Sequence, residues 1–262
     1  MEHLTKAFGG IKAVDDVSFD VPESTVSGII GPNGAGKTTL LNLISGLSRA
    51  DSGVIRFGEK VLSGLRPHEI ARMGLGRTFQ NLRLIRQLTV WENVELAVCC
   101  RVEYRFLDAL VGRARIRKAD AFIASAARDA LAVTELTEVA QRRVSELPYG
   151  VQKRVEIARA LALDPTLLLL DEPAAGLNPV ECQELAEYIR AVRRARPISV
   201  ILVEHHVDMV MKLCDEIVVL NFGKCIAKGR PEVVQNDPEV LRAYLGDRGD
   251  QGDREGAKSA NR

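Results

Sequence analysis

The stretch GPNGAGKT, Gly31 to Thr38, constrains this chain of 262 residues more than any other. It matches G-x-x-x-x-G-K-[ST], a loop whose glycines let consecutive backbone N–H groups curl around phosphate oxygens. Its flanks are those the loop requires. VSGII reads as a buried strand leading in, and KTTLLNLISGL reads as a helix leading out, closed by Gly46. The start of that helix favours an anion through its dipole. In this setting Lys37 reaches the β and γ phosphates of a nucleotide, and the Thr38 hydroxyl is placed to ligate Mg²⁺. Gly31, Pro32, Asn33, Gly34, Ala35 and Gly36 form the cradle, and Thr39 continues the helix start. A strand, a glycine loop and a helix in that order predict an α/β fold.

The rest of the chain repeats the strand-then-helix rhythm. TLLLLDEP is apolar throughout, as a central parallel strand buried on both faces must be, and Pro173 ends it. Asp171 stands at its carboxyl end, placed to hold Mg²⁺ through water. Glu172 follows, where a carboxylate polarises an attacking water; without the phosphate loop the same pair reads as a cap for the next helix. ISVILVEHH is a further buried strand, and IVVLNFGKCIAKG reads as a hairpin turning at Asn221 to Gly223. Short apolar runs alternating with helices mark a parallel sheet. Between residues 88 and 148 strand signals vanish, and Ile123, Ala127, Ala130 and Leu131 recur at helical spacing. The expected organisation is therefore a nucleotide-binding core of residues 1–87 and 149–246, a helical subdomain of 88–148, and a charged, glycine-rich, disordered tail of 247–262.

Composition closes off other classes. Lys plus Arg number 36 against 35 for Asp plus Glu, so no global positive field draws nucleic acid. The five cysteines show no C-x-x-C spacing, which suits a reducing compartment better than a disulfide framework. MEHLTKAFGG has no apolar signal core, and no apolar run is long enough to span a bilayer. The expectation is a soluble, intracellular chain.

Further motifs carry a family resemblance over residues 4 to 246. GRTFQNLRLIRQLTVWENV resembles the glutamine loop of ATP-binding subunits of ABC transporters. LPYGVQKRVEIARAL resembles their signature motif, AAGLNP the loop after the two carboxylates, and ILVEHH the strand ending in the switch histidine. The resemblance implies a P-loop NTPase core of the ABC type, with a parallel sheet, an antiparallel β edge subdomain and an inserted helical subdomain. It implies ATP and Mg²⁺ as cofactors, Glu172, His205 and Gln80 as catalytic residues, and Thr38, Gln80 and Asp171 around the metal. Phe8 stands where the family stacks an aromatic ring on adenine. Leu147, Pro148, Tyr149 and Gly150 stand where one subunit caps the nucleotide held by a second.

DEPAAGLNPVE, VEHHVDMVMKLCDEIVVLNFGKCIAKGRPEVV and DPEVLRAYLG are most similar to the larger-type ATPase subunit of branched-chain amino acid importers. Urea importer and lipopolysaccharide export ATPases resemble the chain as well, and a subunit with weakened hydrolysis is the other alternative. The implied partners are integral membrane permease subunits, a second ATPase subunit in a homo- or heterodimer, and indirectly a periplasmic or extracellular solute-binding protein, but no nucleic acid. The implied location is the cytoplasmic face of the cell membrane, held there by the permease. RVEYRFLDALVGRARIRKAD carries six basic residues from 101 to 118, either as a solvated helical face or near anionic headgroups.

The sequence also departs from the family pattern. Pro148 replaces the signature serine, Asn178 an aspartate, and Ser24 a turn glycine. MEHLT leaves out most of an expected first edge strand before Phe8, so either that edge is short or translation starts earlier in the native gene.

Overall fold

The computed structural model describes residues 1–102 and 113–244. They form two compact units, one from Met1–Pro67 with the chain from Val200 on, the other from His68–Ser199.

The first unit opens with β1 (Glu2–Phe8) and β2 (Ile11–Val17), an antiparallel hairpin closed at Phe8 and Ile11. β3 (Val26–Ile30) is buried at every residue and leads through the glycine loop into α1 (Lys37–Ile44). Ser24, just ahead of β3, has φ 56, a left-handed conformation that explains why glycine is the easier occupant. β4 (Ser52–Val54) pairs with the other edge of β1, and β5 (Arg56–Phe57) with β6 (Lys60–Val61) makes a small hairpin. This corrects the expected short edge strand before Phe8. β1 has seven residues and is the middle strand of the order β2-β1-β4.

The second unit runs through α2 (Pro67–Arg72), β7 (Leu75–Arg77), α3 (Val90–Cys99), α4 (Arg113–Val133), α5 (Tyr149–Ala162), β8 (Leu167–Asp171) and α6 (Pro179–Ala195). β7 lies parallel to β8, with Arg77 opposite Leu169. α3 starts in a capping box, Thr89 accepting the Glu92 N–H while Glu92 accepts the Thr89 N–H, which satisfies two donors a helix start leaves over. α3, α4 and α5 share one apolar core of Val90, Val94, Ile123, Leu131, Val155 and Ala158. The predicted stripe Ile123, Ala127, Ala130 and Leu131 lies in it, each at most 4% exposed. This is the inserted helical subdomain. Most of the basic stretch at 101–118 and the tail of 247–262 lie outside the described residues.

The chain returns to the first unit with β9 (Ser199–Val203), α7 (Val207–Leu213), β10 (Glu216–Asn221), β11 (Lys224–Gly229) and α8 (Pro231–Gln235), and residues 238–244 are helical. β3 lies between β9 and β10, parallel to both, and β11 runs antiparallel along the outer edge of β10. The mixed sheet follows from connection length. Helical crossovers make the parallel pairs, and the two-residue turn at Phe222 and Gly223, φ 44 and 80, makes the hairpin. Among the described residues no helix is long and apolar enough to cross a membrane.

Candidate functional site

In the first unit the site is built on the carboxyl ends of β3 and β9. The glycine loop leaves β3, and two of its glycines cannot be replaced without moving backbone. A Cβ on Gly31 would lie 2.1 Å from the Leu220 carbonyl oxygen, and one on Gly36, at φ 101, would lie 2.1 Å from that of Ala13. The hairpin turn braces the loop, because the Gly223 N–H donates to the Ala35 carbonyl at 3.0 Å and the Asp15 N–H to the Gly223 carbonyl at 2.8 Å. Lys37 is buried, and its ammonium donates to the Gly31 and Pro32 carbonyls at 2.7 and 2.9 Å. Asn33, Gly34 and Thr38 are exposed, Pro32 and Thr39 half-buried. No acidic residue occupies the first turn of α1, so its dipole is left for an anion. Phe8 is 52% exposed at the end of β1, with the Lys6 ammonium 5.2 Å from its ring centre.

His205 follows β9, whose Val203 is in register with Ile29 of β3. It therefore emerges at the same end of adjacent parallel strands as the glycine loop, where ligands of such sheets collect. Glu204 beside it is fully buried. Its Oε2 accepts the His205 N–H at 3.1 Å and lies 3.1 Å from His206 Nδ1. The two imidazole rings are 4.1 Å apart. Glu204 thus orders the turn that carries His205, a role the sequence did not suggest.

In the second unit β8 delivers Asp171 and Glu172. The Arg77 guanidinium lies 3.0 Å from Asp171 Oδ2, and both side chains are under 10% exposed, at 7% and 4%. Burial pulls the Arg77 pKa down, and the Asp171 carboxylate opposes that pull. The other carboxylate oxygen, Oδ1, is buried and has no hydrogen-bond partner among the described residues. Such an orphaned oxygen needs a donor or a cation, and a hard carboxylate oxygen suits hydrated Mg²⁺. Glu172 sits at φ 47, a strained conformation for a side chain other than glycine. Gln80 Nε2 donates to its Oε2 at 2.7 Å. The structure therefore joins Gln80 to Glu172, ninety-two residues apart in sequence.

Leu147 and Pro148 lead into α5, with Pro148 at the N-cap, φ −55 and ψ 150, and no side-chain cap bond. Tyr149 is 43% exposed and packs on the loop after Glu172, where a Cβ on Gly176 would lie 3.2 Å from its ring. A Cβ on Gly150 would meet Glu181 and Leu177 at ordinary contact distances. Asn178 replaces aspartate without loss of structure. Its Oδ1 accepts the Val180 and Glu181 N–H groups at 2.9 and 3.0 Å, capping α6 as aspartate would. Arg77, like Glu204, was missed because a charged residue in a short segment reads as exposed until its partner is known.

Comparison with known proteins bears on both units. Residues 14–175 match a family model described as ABC transporter, and residues 224–250 match one described as branched-chain amino acid ATP-binding cassette transporter. The chain is 42% identical over 244 residues to the high-affinity branched-chain amino acid transport ATP-binding protein LivG of Salmonella typhimurium, covering 93% of this chain and 96% of that protein. BraF of Pseudomonas aeruginosa, of the same description, is equally similar at 42%. The lipopolysaccharide export ATP-binding protein LptB of Haemophilus influenzae is 35% identical, covering 94% and 96% of the two chains. Among solved structures, the ADP conformation of an ATP-binding cassette from an ABC transporter superposes with a TM-score of 0.81 at 34% identity, covering 94% and 97%.

Proposed function

The chain belongs to the ATP-binding subunits of ABC transporters and is an ATPase, and from that premise we propose that it powers a permease importing branched-chain amino acids. The observation that carries the hydrolytic part is the Gln80–Glu172 pair beside an orphaned, buried Asp171 oxygen. In this reading the loop Gly31–Thr38, with Thr39, cradles the ATP phosphates, and Lys37 leaves its backbone carbonyls to neutralise the β and γ groups. Thr38, Asp171 and Gln80 are the residues that would hold Mg²⁺. Mg²⁺ supplies charge neutralisation at the phosphates. Glu172 accepts hydrogen-bonding from the attacking water and Gln80 orients it, while His205 contacts the γ phosphate from its turn. Phe8 offers its exposed ring to adenine. Leu147 to Gly150 face the nucleotide of a second ATPase subunit.

The transported solute rests on the match of residues 224–250 and on relatives at 42% identity, against 35% for the export ATPase. The site residues described above are assigned to nucleotide and not to the solute, so neighbours in sequence are the argument here. The chain works at the cytoplasmic face of the membrane, bound to permease subunits through the helical region at 88–148 and the loop after Gln80. A dimeric, post-hydrolysis ATP-binding cassette with ADP and Pi, 26% identical at a TM-score of 0.71, supports pairing with a second ATPase. Copurification from membranes tests the assignment. The account expects a permease whose vesicles take up leucine, isoleucine or valine when ATP is supplied. Recovery of a permease that moves none of the three would overturn it.

A further inference from the structure

The loop bearing Gln80 is gripped along its backbone by three side chains of one helix. Lys153 Nζ donates to the Gln80 carbonyl at 3.3 Å, and Glu156 Oε1 accepts the Phe79 N–H at 3.4 Å. The Arg159 guanidinium donates to the Arg83 carbonyl. All three belong to α5 at i, i+3 and i+6, so successive members are neighbours on one face of the helix. Two of its three side chains are buried, Lys153 2% exposed and Glu156 7%, and Arg159 is half-buried. Burial pushes the Glu156 carboxyl up, and the Phe79 and Arg83 backbone N–H groups pull it back. The stem of Lys153 also places its ammonium 5.5 Å from the Tyr149 ring centre. Packing three ionisable groups against a loop costs desolvation, and apolar side chains would fill the same face without that cost. What charged groups add here is a fixed position for particular backbone atoms.

We propose that Lys153 and Glu156 are positioning residues for ATP hydrolysis, which hold the Gln80 backbone so that its side chain meets Glu172. α5 begins at Pro148 and Tyr149, so the same rigid helix that presents the signature residues also fixes Gln80. A shift at the signature end moves the Gln80 carbonyl with it, because the helix between them spans little more than one turn. The proposal rests on the reading of Gln80 and Glu172 as hydrolytic.

The test is a double-variant cycle on the full-length chain, reading kcat and KM for ATP alongside the thermal unfolding midpoint. Lys153→Met keeps the stem and removes the ammonium. It lowers kcat about tenfold with KM nearly unchanged, and Gln80→Ala lowers kcat too. In the double variant the Lys153→Met loss disappears, because the side chain it positions is gone. Glu156→Gln, which keeps an acceptor for the Phe79 N–H, recovers the rate that Glu156→Leu loses. A damaging Gln80→Ala with a fully additive Lys153→Met overturns the proposal alone, as does a kcat loss accounted for by unfolding. A silent Gln80→Ala overturns the hydrolytic reading, and the proposal with it.

Discussion

At the scale of single residues, the phosphate loop and the signature position make opposite demands on chemistry. Lys37 is held by two carbonyls at 2.7 and 2.9 Å, neutral acceptors that a phosphate outcompetes. Lys37→Ala should leave the fold intact and abolish ATP hydrolysis; a variant that folds and retains wild-type turnover would contradict its role. Pro148 contributes neither an N–H nor a hydroxyl, where a serine could offer a hydrogen bond to phosphate. Such a bond to a charged group is worth about 1.5–3 kcal/mol, or roughly 10- to 150-fold in the step that uses it. Pro148→Ser also supplies an N-cap acceptor to α5, about 1 kcal/mol of stability, while freeing the unfolded chain by a similar about 0.4–1 kcal/mol. The two stability effects nearly cancel, so the expected outcome is faster hydrolysis at an almost unchanged unfolding midpoint. Unchanged turnover would mean that proline serves here as well as serine.

Among the elements, the helical subdomain depends on one shared core rather than on helix propensity. Leu131 of α4 is 2% exposed within it, and Leu131→Ala should lower stability by about 2–5 kcal/mol, read from denaturant unfolding. A loss under about 1 kcal/mol would show that the site repacks freely. α4 could be read from the sequence because its apolar stripe is local. β1 could not, since only Leu4 of its seven residues is fully buried and its second partner, β4, is three residues long. Pairing between distant segments leaves no periodic trace in either one. The same distinction divides the site. Gly31 to Thr38, Asp171 and Glu172 could be proposed from the sequence because the loop motif has a fixed spacing and the carboxylates end an apolar run. Arg77, Lys153, Glu156 and Glu204 could not, because a buried charge and a surface charge are the same letter until its partner is folded against it.

For the molecule as a whole, the proposed function requires partners beyond this chain. No helix among the described residues is long and apolar enough to cross a membrane, and in the proposed reading Leu147 to Gly150 act on the nucleotide of a second subunit. If the partner is a different subunit with an intact signature serine, the site at Gly31–Thr38 should turn over faster than the partner's, which Pro148 caps. Removing the partner's phosphate-loop lysine should then erase the gain from Pro148→Ser; a gain that persists would place the effect elsewhere. The central claim is that Glu172 activates water for hydrolysis that drives import, and Glu172→Gln tests it most directly. Amide and carboxylate share a shape but differ in basicity. In vesicles containing the permease, the partner ATPase and the solute-binding protein, ATP retention and leucine-stimulated phosphate release should be measured together. The account predicts that Glu172→Gln keeps ATP bound while phosphate release at its site falls at least about a hundredfold. Release at the wild-type rate would contradict it.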